Sequence, residues 1–166
     1  MKPKLTGAQR EEIKMYIKNK IDISPLISNY SVAGEDFTNA IICKFDRPDE
    51  DISGVVLANC VIGEEGKVTN MNRVIARNCN FRSSHWKGEV WARRGDFRHT
   101  SMTDIYLPYI DYRYADLRNC DFCNAIFQIG TAKGLGAQFS EDFFKDLAKS
   151  WNVEITLKKA PNERIV

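Results

Sequence analysis

Long apolar runs are missing from this sequence, since none approaches the roughly 18 residues that a membrane-spanning helix requires. The N-terminus also lacks the apolar stretch of a secretory signal peptide, which predicts a cytoplasmic protein or a virion component if a phage encodes it. A strong net charge is missing as well, because 24 Lys and Arg stand against 22 Asp and Glu. This balance argues against bulk attraction to nucleic acid or membranes.

Motifs for catalysis are missing too. The segment GEEGKVT at residues 63–69 hints at a phosphate-binding loop, but Val61 stands where the upstream glycine is required. Val68 also stands where Ser or Thr would coordinate magnesium. The two histidines, His85 and His99, have no consistent acid or nucleophile partner in the sequence. We therefore expect no enzyme and no cofactor.

What the sequence does contain is a period of five over residues 35–129. One column of the repeat is mostly large and apolar: Phe37, Ile42, Arg47, Ile52, Leu57, Ile62, Met71, Ala76, Phe81, Trp86, Ala92, Phe97, Met102, Leu107, Tyr112, Leu117, Phe122 and Phe127. A column of mostly smaller residues precedes it by two positions. Period five matches neither a helix nor an ordinary strand, so we expect a chain that turns a corner every quintet, with two side chains inward and three outward.

Three irregularities interrupt this repeat. Arg47 replaces an apolar residue in the central column, residues 65–68 are one short of a quintet, and Glu89 is one extra residue. Arg47 and residues 65–68 are expected to mark loops that bulge from a regular coil.

The quintets ADLRN and CDFCN, followed by AIF, resemble the pentapeptide-repeat family, whose motif is a small residue, Asp or Asn, Leu or Phe, and two variable positions. The resemblance covers about 95 of the 166 residues. It implies an all-β solenoid, a right-handed quadrilateral β-helix with four quintets per coil. About five coils stacked at the ~4.8 Å spacing of neighbouring strands would form a rod near ~24 Å tall.

An N-terminal helical segment is predicted over residues 1–24, followed by the β-helix over residues 25–129. The helix itself is expected over residues 6–21, starting near Thr6 or Gly7. Its apolar face would consist of Ile13, Tyr16, Ile17 and Ile21. This helix would either cap the open end of the rod or lie against its side.

A C-terminal cap of a helix and a strand is predicted over residues 130–166. Ser140 is a good N-cap residue for the helix SEDFFKDLAKSW. Its apolar stripe consists of Phe143, Phe144, Leu147 and Trp151. The helix would cover the terminal coil, which otherwise exposes apolar side chains and unpaired backbone. Members of the resembled family often pair through C-terminal helices, so a homodimer through this stripe is the second expectation, compatible with the first.

The cysteines are interpreted as structural. Their number is five, and an odd number favours a reducing compartment over a disulfide framework. Cys120 and Cys123 form a C-x-x-C, but the repeat sends the first inward and the second outward. Cys60 and Cys79 also point inward, where a thiol acts as a small hydrophobic group. No metal site is expected.

Arginines form columns on the outside of the predicted rod. Arg77, Arg98 and Arg118 would stack in one column, with Arg93 and Arg113 in the adjacent one. An aspartate stands two residues before three of these arginines, at Asp96, Asp111 and Asp116. Residues i and i+2 share one side of a strand, so these pairs are predicted to be ordinary surface salt bridges.

A basic patch with aromatic residues remains in the middle of the rod. Residues 66–98 contain eight basic and two acidic residues, whereas residues 35–65 contain eight acidic and two basic. The predicted partner-binding residues, whose arginines lack such neighbouring acids, are Arg73, Arg77, Arg82, Trp91, Arg93, Arg94, Tyr106, Tyr109 and Tyr114. Arginine and large aromatic residues are enriched at protein–protein hot spots. The alternative is a solvated surface with incidental aromatics, and a nucleic-acid surface is disfavoured by the low overall charge.

Two functions are compatible with these features. The first is a non-catalytic interaction or structural module, a rigid rod that presents surfaces to a protein partner in a bacterial or phage assembly. The second follows from the resemblance, since some pentapeptide-repeat proteins mimic duplex DNA, bind DNA gyrase and confer resistance to quinolones or toxins. Such mimicry requires a long acidic face, and only residues 35–65 are acidic here.

Overall fold

The computed structural model describes residues 2–127 and 137–139. Within them, helices α1 (Gly7–Lys18) and α2 (Ser24–Ile27) precede short strands. The strands are β1 (Ile41–Ile42), β2 (Val61–Ile62), β3 (Val68–Asn70), β4 (His85–Trp86), β5 (Glu89–Trp91), β6 (Tyr106–Leu107), β7 (Tyr109–Asp111), β8 (Asp116–Leu117), β9 (Ile126–Phe127) and β10 (Gln138–Phe139).

These strands pair in parallel and form four faces of a coil. The first face contains β1, β2, β4, β6 and β9, and the second contains β3, β5 and β7. On the third face β8 pairs with β10, below parallel bridges that run from Asp51 through Ile75 and Asp96. Bridges alone hold the fourth face, through Asp36, Val56, Asn80, Ser101 and Asp121. The predicted fold class, a four-sided β-solenoid, is therefore confirmed.

The length of a coil follows the interruptions of the repeat. Asp96 pairs with Asp116, which lies 20 residues further on, as four quintets require. The separation grows to 24 between Asp51 and Ile75, because residues 64–67 bulge outward, and is 21 between Ile75 and Asp96, because Glu89 is inserted. Both insertions lie at the corner between the first and second faces. On the fourth face five layers are separated by four turns, at Phe37, Leu57, Phe81, Met102 and Phe122.

The core is the narrow column that the repeat predicts. Every central residue from Phe37 to Phe122 is at most 5% exposed. Aromatic rings interlock within it, with edge-to-face contacts between Phe81 and Trp86 at 5.8 Å and between Phe97 and Tyr112 at 6.2 Å. Burial of such side chains stabilises the coil by about 1.5–3 kcal/mol each.

Arg47 corrects one expectation, because it does not mark a loop. It keeps the central position of its quintet at 1% exposure. Its Nη2 donates to the carbonyl of Ile27 at 2.8 Å and its Nη1 to that of Tyr30 at 3.1 Å, while Glu50 supplies the counter-charge at 3.1 Å. The guanidinium also lies 5.3 Å from the ring of Phe45. The prediction was wrong because helix α2 and the turn after it provide the acceptors that a buried arginine needs.

Helix α1 begins as predicted and ends earlier. Thr6 is its N-cap and forms a capping box with Gln9. Ile13 is buried, and Tyr16 and Ile17 pack against the core. Ile21 was wrongly assigned to this apolar face: it lies beyond the helix and is 46% exposed. The helix stops at Lys18, and Lys20 then adopts a left-handed φ of 57° that turns the chain away.

The cysteine register is confirmed. Cys60 and Cys79 are buried. Cys120 points inward and its Sγ donates to the carbonyl of Phe97 at 2.9 Å, whereas Cys123 is exposed.

No helix among the described residues has both the length and the apolar character needed to cross a bilayer.

The stripe predicted as a cap or dimer contact lies outside the described residues, so that role stays a prediction. Its residues are Phe143, Phe144, Leu147 and Trp151.

Candidate protein-interaction surface

Four of the predicted patch arginines are paired with aspartates on neighbouring coils. The pairs are Arg73 with Asp49, Arg77 with Asp96, Arg82 with Asp104 and Arg93 with Asp111. Arg82 has the loosest pair, with 3.8 Å between its Nε and the carboxylate. The expectation that these arginines are unneutralised was therefore wrong. Stacking brings together residues about one coil apart, whereas the i, i+2 pattern of the sequence predicts only pairs along one strand.

The salt bridges predicted along single strands are present. Arg98 contacts Asp96 at 2.8 Å, and Arg118 contacts Asp116 at 2.6 Å. Asp96 also holds Arg77, so the third face carries a ladder of alternating charges. Hydrogen bonds from Arg98, and then from Arg77, hold the pKa of Asp96 well below its ordinary value.

Asp111 organises the arginines of the second face. Its side chain is 2% exposed and contacts Arg113 at 2.8 Å and Arg93 at 2.7 Å. Hydrogen bonds from Arg113 first, and from Arg93 second, keep the pKa of this carboxyl well below its usual range. Both guanidinium groups are thereby held by one buried carboxylate.

Arg94 differs from the other arginines of the patch. It forms no ion pair with a described residue, and its Cζ lies 5.9 Å from the ring centroid of Tyr114. Beside it, the Cζ of Arg93 lies 5.4 Å from the ring of Trp91. Two consecutive arginines are thus stacked on aromatic rings of the second face and its edge.

The corner between the second and third faces has an unusual composition. Its turning residues are Asp49, Arg73, Arg94 and Tyr114, with φ of 59°, 55°, 56° and 61°. The corners on either side of the fourth face use Gly34, Gly54, Asn78, His99 and Asn119, and Asn39, Asn59, Ser83, Asp104 and Asn124. A left-handed φ costs roughly 1–2 kcal/mol for a residue other than glycine, and Asn, Asp and His tolerate it better than most. Among the described residues in this conformation, the arginines and the tyrosine all lie in this one column, and Lys20 lies outside it.

The structure brings six predicted residues together. They occupy the second face and this adjoining corner, and we call them the second-face patch: Arg73, Trp91, Arg93, Arg94, Tyr109 and Tyr114. Tyr109 and Tyr114 are 43% and 57% exposed. Trp91 is half-buried, and its Nε1 is buried without a hydrogen-bond partner among the described residues. The patch therefore combines exposed tyrosine rings with two guanidinium groups that lie over the rings of Trp91 and Tyr114.

The remaining three predicted residues lie elsewhere. Arg77 is on the third face, where it pairs with Asp96. Arg82 is near the corner between the fourth and first faces. Tyr106 is on the first face, where its ring stacks on His85 at 4.5 Å. The predicted set thus separates into one cluster and three isolated positions.

Sequence reasoning missed the partner role of Asp111 and the unusual corner. The five-residue repeat contains evidence for the role of Asp111 and for the composition of the corner. Arg73, Arg94 and Tyr114 are the last residues of their quintets, where most other quintets end in Asn, Gly, Ser or Asp. Asp111 lies 18 residues after Arg93, slightly less than one coil, which places it within reach on the next layer.

A second concave surface lies beside the inserted loop. This cleft of about 310 Å³ is lined by residues that include Cys43, Lys44, Glu64 and Lys67. Burial, followed by the nearby Asp22 and Glu64, raises the pKa of the Cys43 thiol, which makes it a poor nucleophile. Among the described residues, no group of three His, Cys, Asp or Glu side chains could hold a metal ion.

No family model and no curated protein sequence matches this chain. Similar solved structures include a pentapeptide repeat protein from the thylakoid lumen of Arabidopsis thaliana, at 12% identity over 72% of this chain and 75% of that chain, with a TM-score of 0.29. A pentapeptide repeat protein of the cyanobacterium Cyanothece 51142 has 14% identity over 66% and 60%, with a TM-score of 0.21.

A trypsin-treated form of QnrB1, a plasmid-mediated fluoroquinolone resistance protein, has 10% identity over 76% of this chain and 70% of that chain, with a TM-score of 0.34. Likeness at this level says nothing about the function of the present chain. Its fold follows from its own parallel bridges. The five-residue repeat of the sequence and the four-sided parallel coil confirm the resemblance to the pentapeptide-repeat family at the level of the fold.

Proposed function

We propose that this chain is a rigid, non-catalytic interaction module that binds a protein partner through the second-face patch, as part of a bacterial or phage assembly. The observation that carries the proposal is the column of Arg73, Arg94 and Tyr114 in left-handed backbone. Such conformations cost stability and cluster at binding sites, where their cost is offset by function. Asparagine or glycine would serve the turn better.

The chemistry of the patch supports the same role. Tyrosine, tryptophan and arginine are enriched among the few residues that carry most of the binding energy at protein interfaces. Tyr109 and Tyr114 are accessible, and Arg93 and Arg94 are already ordered by the rings beneath them. The parallel coil below is rigid, so binding would require little reorganisation.

DNA mimicry directed at gyrase remains the second candidate, and the charges of the early coils do not favour it. Mimicry needs a row of carboxylates without counter-charges. Glu35 instead pairs with Arg10, and Asp49 with Arg73. Glu50 pairs with both Lys2 and Arg47. Three of the eight acidic residues of residues 35–65 thus have a counter-charge.

The proposed function is tested by affinity capture from a lysate of the source organism, with quantitative mass spectrometry of the bound proteins. The bait is the wild type, an Arg94→Glu/Tyr114→Ala double variant, or an Arg82→Glu control on a different corner. We expect at least one protein that wild type and control retain and the double variant loses. Equal capture of every protein by all three baits would overturn the proposal.

The compartment and the oligomeric state belong to the proposal as well. All five cysteines are unpaired, which supports a reducing compartment such as the cytoplasm. We keep the homodimer through the C-terminal stripe as a separate proposal, to be tested by light scattering.

A further inference from the structure

The hydrogen-bonding edge of Arg94 points to the chemistry of the partner. A guanidinium has a flat face, which can stack on a ring, and an edge of N–H donors, which fits a carboxylate in two parallel bonds. Arg94 uses its face on Tyr114, with 5.9 Å between its Cζ and the ring centroid. No carboxylate of a described residue contacts its edge, so within the described part of the chain those donors are unpaired.

The neighbouring arginines are not available in this way. Arg73 directs both Nε and Nη2 to Asp49. Arg113 directs both Nε and Nη2 to Asp111. Arg93 donates its Nε to the same aspartate. The patch therefore contains one complete guanidinium fork, at Arg94, next to the partly engaged fork of Arg93.

We propose that the second-face patch recognises an acidic segment of a partner protein, with a carboxylate bound by the edge of Arg94 and an adjacent apolar side chain against Tyr109. This inference rests on the proposed function and names the partner's chemistry. Stacking on Tyr114 holds the guanidinium in place before binding, so less conformational entropy is lost when the carboxylate arrives. The exposed ring of Tyr109, at 43%, offers the apolar contact.

A nucleic acid fits the same surface less well. Its affinity comes from neutralising several phosphates, and most guanidinium groups here already have an aspartate. Single-stranded bases also need open ring faces for stacking. The guanidinium groups of Arg93 and Arg94 lie over the rings of Trp91 and Tyr114 and occupy those faces.

The test is fluorescence anisotropy with three labelled probes and the full-length protein. The first probe is a short peptide with two glutamates on each side of one phenylalanine, and the second replaces the glutamates with glutamines. The third is a short oligothymidine. The variants are Arg94→Glu, Arg94→Lys and Tyr114→Leu, with Arg82→Glu as the control of equal charge change. Circular dichroism establishes that each variant is folded.

We expect the glutamate peptide to bind wild type and the Arg82→Glu control alike, and to bind Arg94→Glu about tenfold or more weakly. Arg94→Lys should also bind more weakly, because lysine keeps the charge and lacks the fork. Tyr114→Leu should weaken binding, since Arg94 loses the ring that orders it.

Four results would overturn the inference. The glutamine peptide could bind wild type as tightly as the glutamate peptide does, or Arg94→Glu and Arg82→Glu could weaken binding of the glutamate peptide equally. Oligothymidine could bind more tightly than the glutamate peptide in a way that depends on Arg94, or the glutamate peptide could fail to bind at millimolar protein. The capture experiment distinguishes this failure from that of the proposed function. If one of these four results is found and a captured partner is nevertheless lost only by the double variant, the interaction surface is kept and the acidic-segment chemistry is rejected.

Discussion

The guanidinium of Arg94 lies 5.9 Å from the ring of Tyr114, and both residues turn the chain with a left-handed φ, at 56° and 61°. They occupy equivalent corners of successive coils. Two residues with strained backbone thus lie directly above one another in successive layers, and their side chains meet in the contact between the guanidinium and the ring. Under the proposed function, stability and recognition are therefore opposed at this corner.

This opposition predicts an unusual response to mutation. Arg94→Asn should leave the free energy of unfolding unchanged or raise it by up to about 0.5 kcal/mol, because relief of the left-handed backbone exceeds the lost cation–π contact. The matched exchange Asn119→Arg, at φ 59° on another corner, should lower it by about 1 kcal/mol. Urea unfolding measures both. Equal destabilisation by the two changes would contradict the assignment of strain to Arg94.

Acid stability should depend on Asp111. Arg113, and then Arg93, lower the pKa of its carboxyl in the folded state, whereas an unfolded aspartate has a pKa of about 3.9. The pairing therefore stabilises the fold fully above that unfolded value and is lost as pH falls through the lowered folded pKa. Urea unfolding between pH 7 and pH 2 should show a shallower acid loss in Asp111→Asn than in wild type.

A control separates this effect from general acid sensitivity. Asp51 accepts a backbone hydrogen bond from Ser53 and has no ion pair with a described residue. Asp51→Asn removes a carboxylate without such a pair, so its acid loss should differ from that of wild type less than the acid loss of Asp111→Asn does. At pH 7, Asp111→Asn should lose about 1–3 kcal/mol, since two arginines lose a charged acceptor. If the free energy of unfolding fell with pH along parallel curves in Asp111→Asn and wild type, the dependence of acid stability on the Asp111 carboxylate would be refuted.

Arg47 should resist replacement by the residue that the repeat favours. Arg47→Leu restores the apolar centre of the quintet, yet it removes the donors to the carbonyls of Ile27 and Tyr30. We expect a loss of about 1–3 kcal/mol in the free energy of unfolding, from buried acceptors left without a partner. Arg118→Leu, at an exposed arginine, should change stability by at most about 0.5 kcal/mol. A stabilised Arg47→Leu would show that the apolar column outweighs these bonds.

Gly88 should be intolerant of any side chain. A Cβ there would stand 2.3 Å from the carbonyl oxygen of Lys67 and 2.4 Å from that of Glu64, at a φ of 72°. Gly66 has a similar φ of 70° with nothing within 4 Å. Gly66→Ala should therefore cost about 1 kcal/mol from backbone strain alone, and Gly88→Ala distinctly more. Thermal unfolding compares them, and equal melting temperatures would show that the loop yields freely.

A supercoiling assay addresses the gyrase alternative. Because Glu35, Asp49 and Glu50 are paired with basic side chains, we expect titrated protein to leave supercoiling by DNA gyrase unchanged. Potent inhibition, or protection against a quinolone, would reverse the order of the two functions. Loss of that effect on charge reversal within residues 35–65 would locate it.

The sequence predicted the inside of the rod better than its outside. Burial depends on alternation within one strand, and Phe81, Trp86 and Phe97 each kept their predicted place for that reason. Surface charges depend on which coil lies above which. The insertion at residues 64–67 lengthens the coil between Asp49 and Arg73, so the regular repeat does not predict that pair, whereas no insertion separates Arg93 from Asp111.

Between Asp51 and Asp116 the separation of stacked residues is 24, then 21, then 20, and both longer coils have their extra residues at the corner between the first and second faces. In these three coils this corner accommodates both a bulge and a single extra residue. We therefore expect this corner to tolerate an inserted peptide. A short tag placed between Glu65 and Gly66 should display on the rod without disturbing the layers above or below, which offers a handle that leaves the second-face patch untouched.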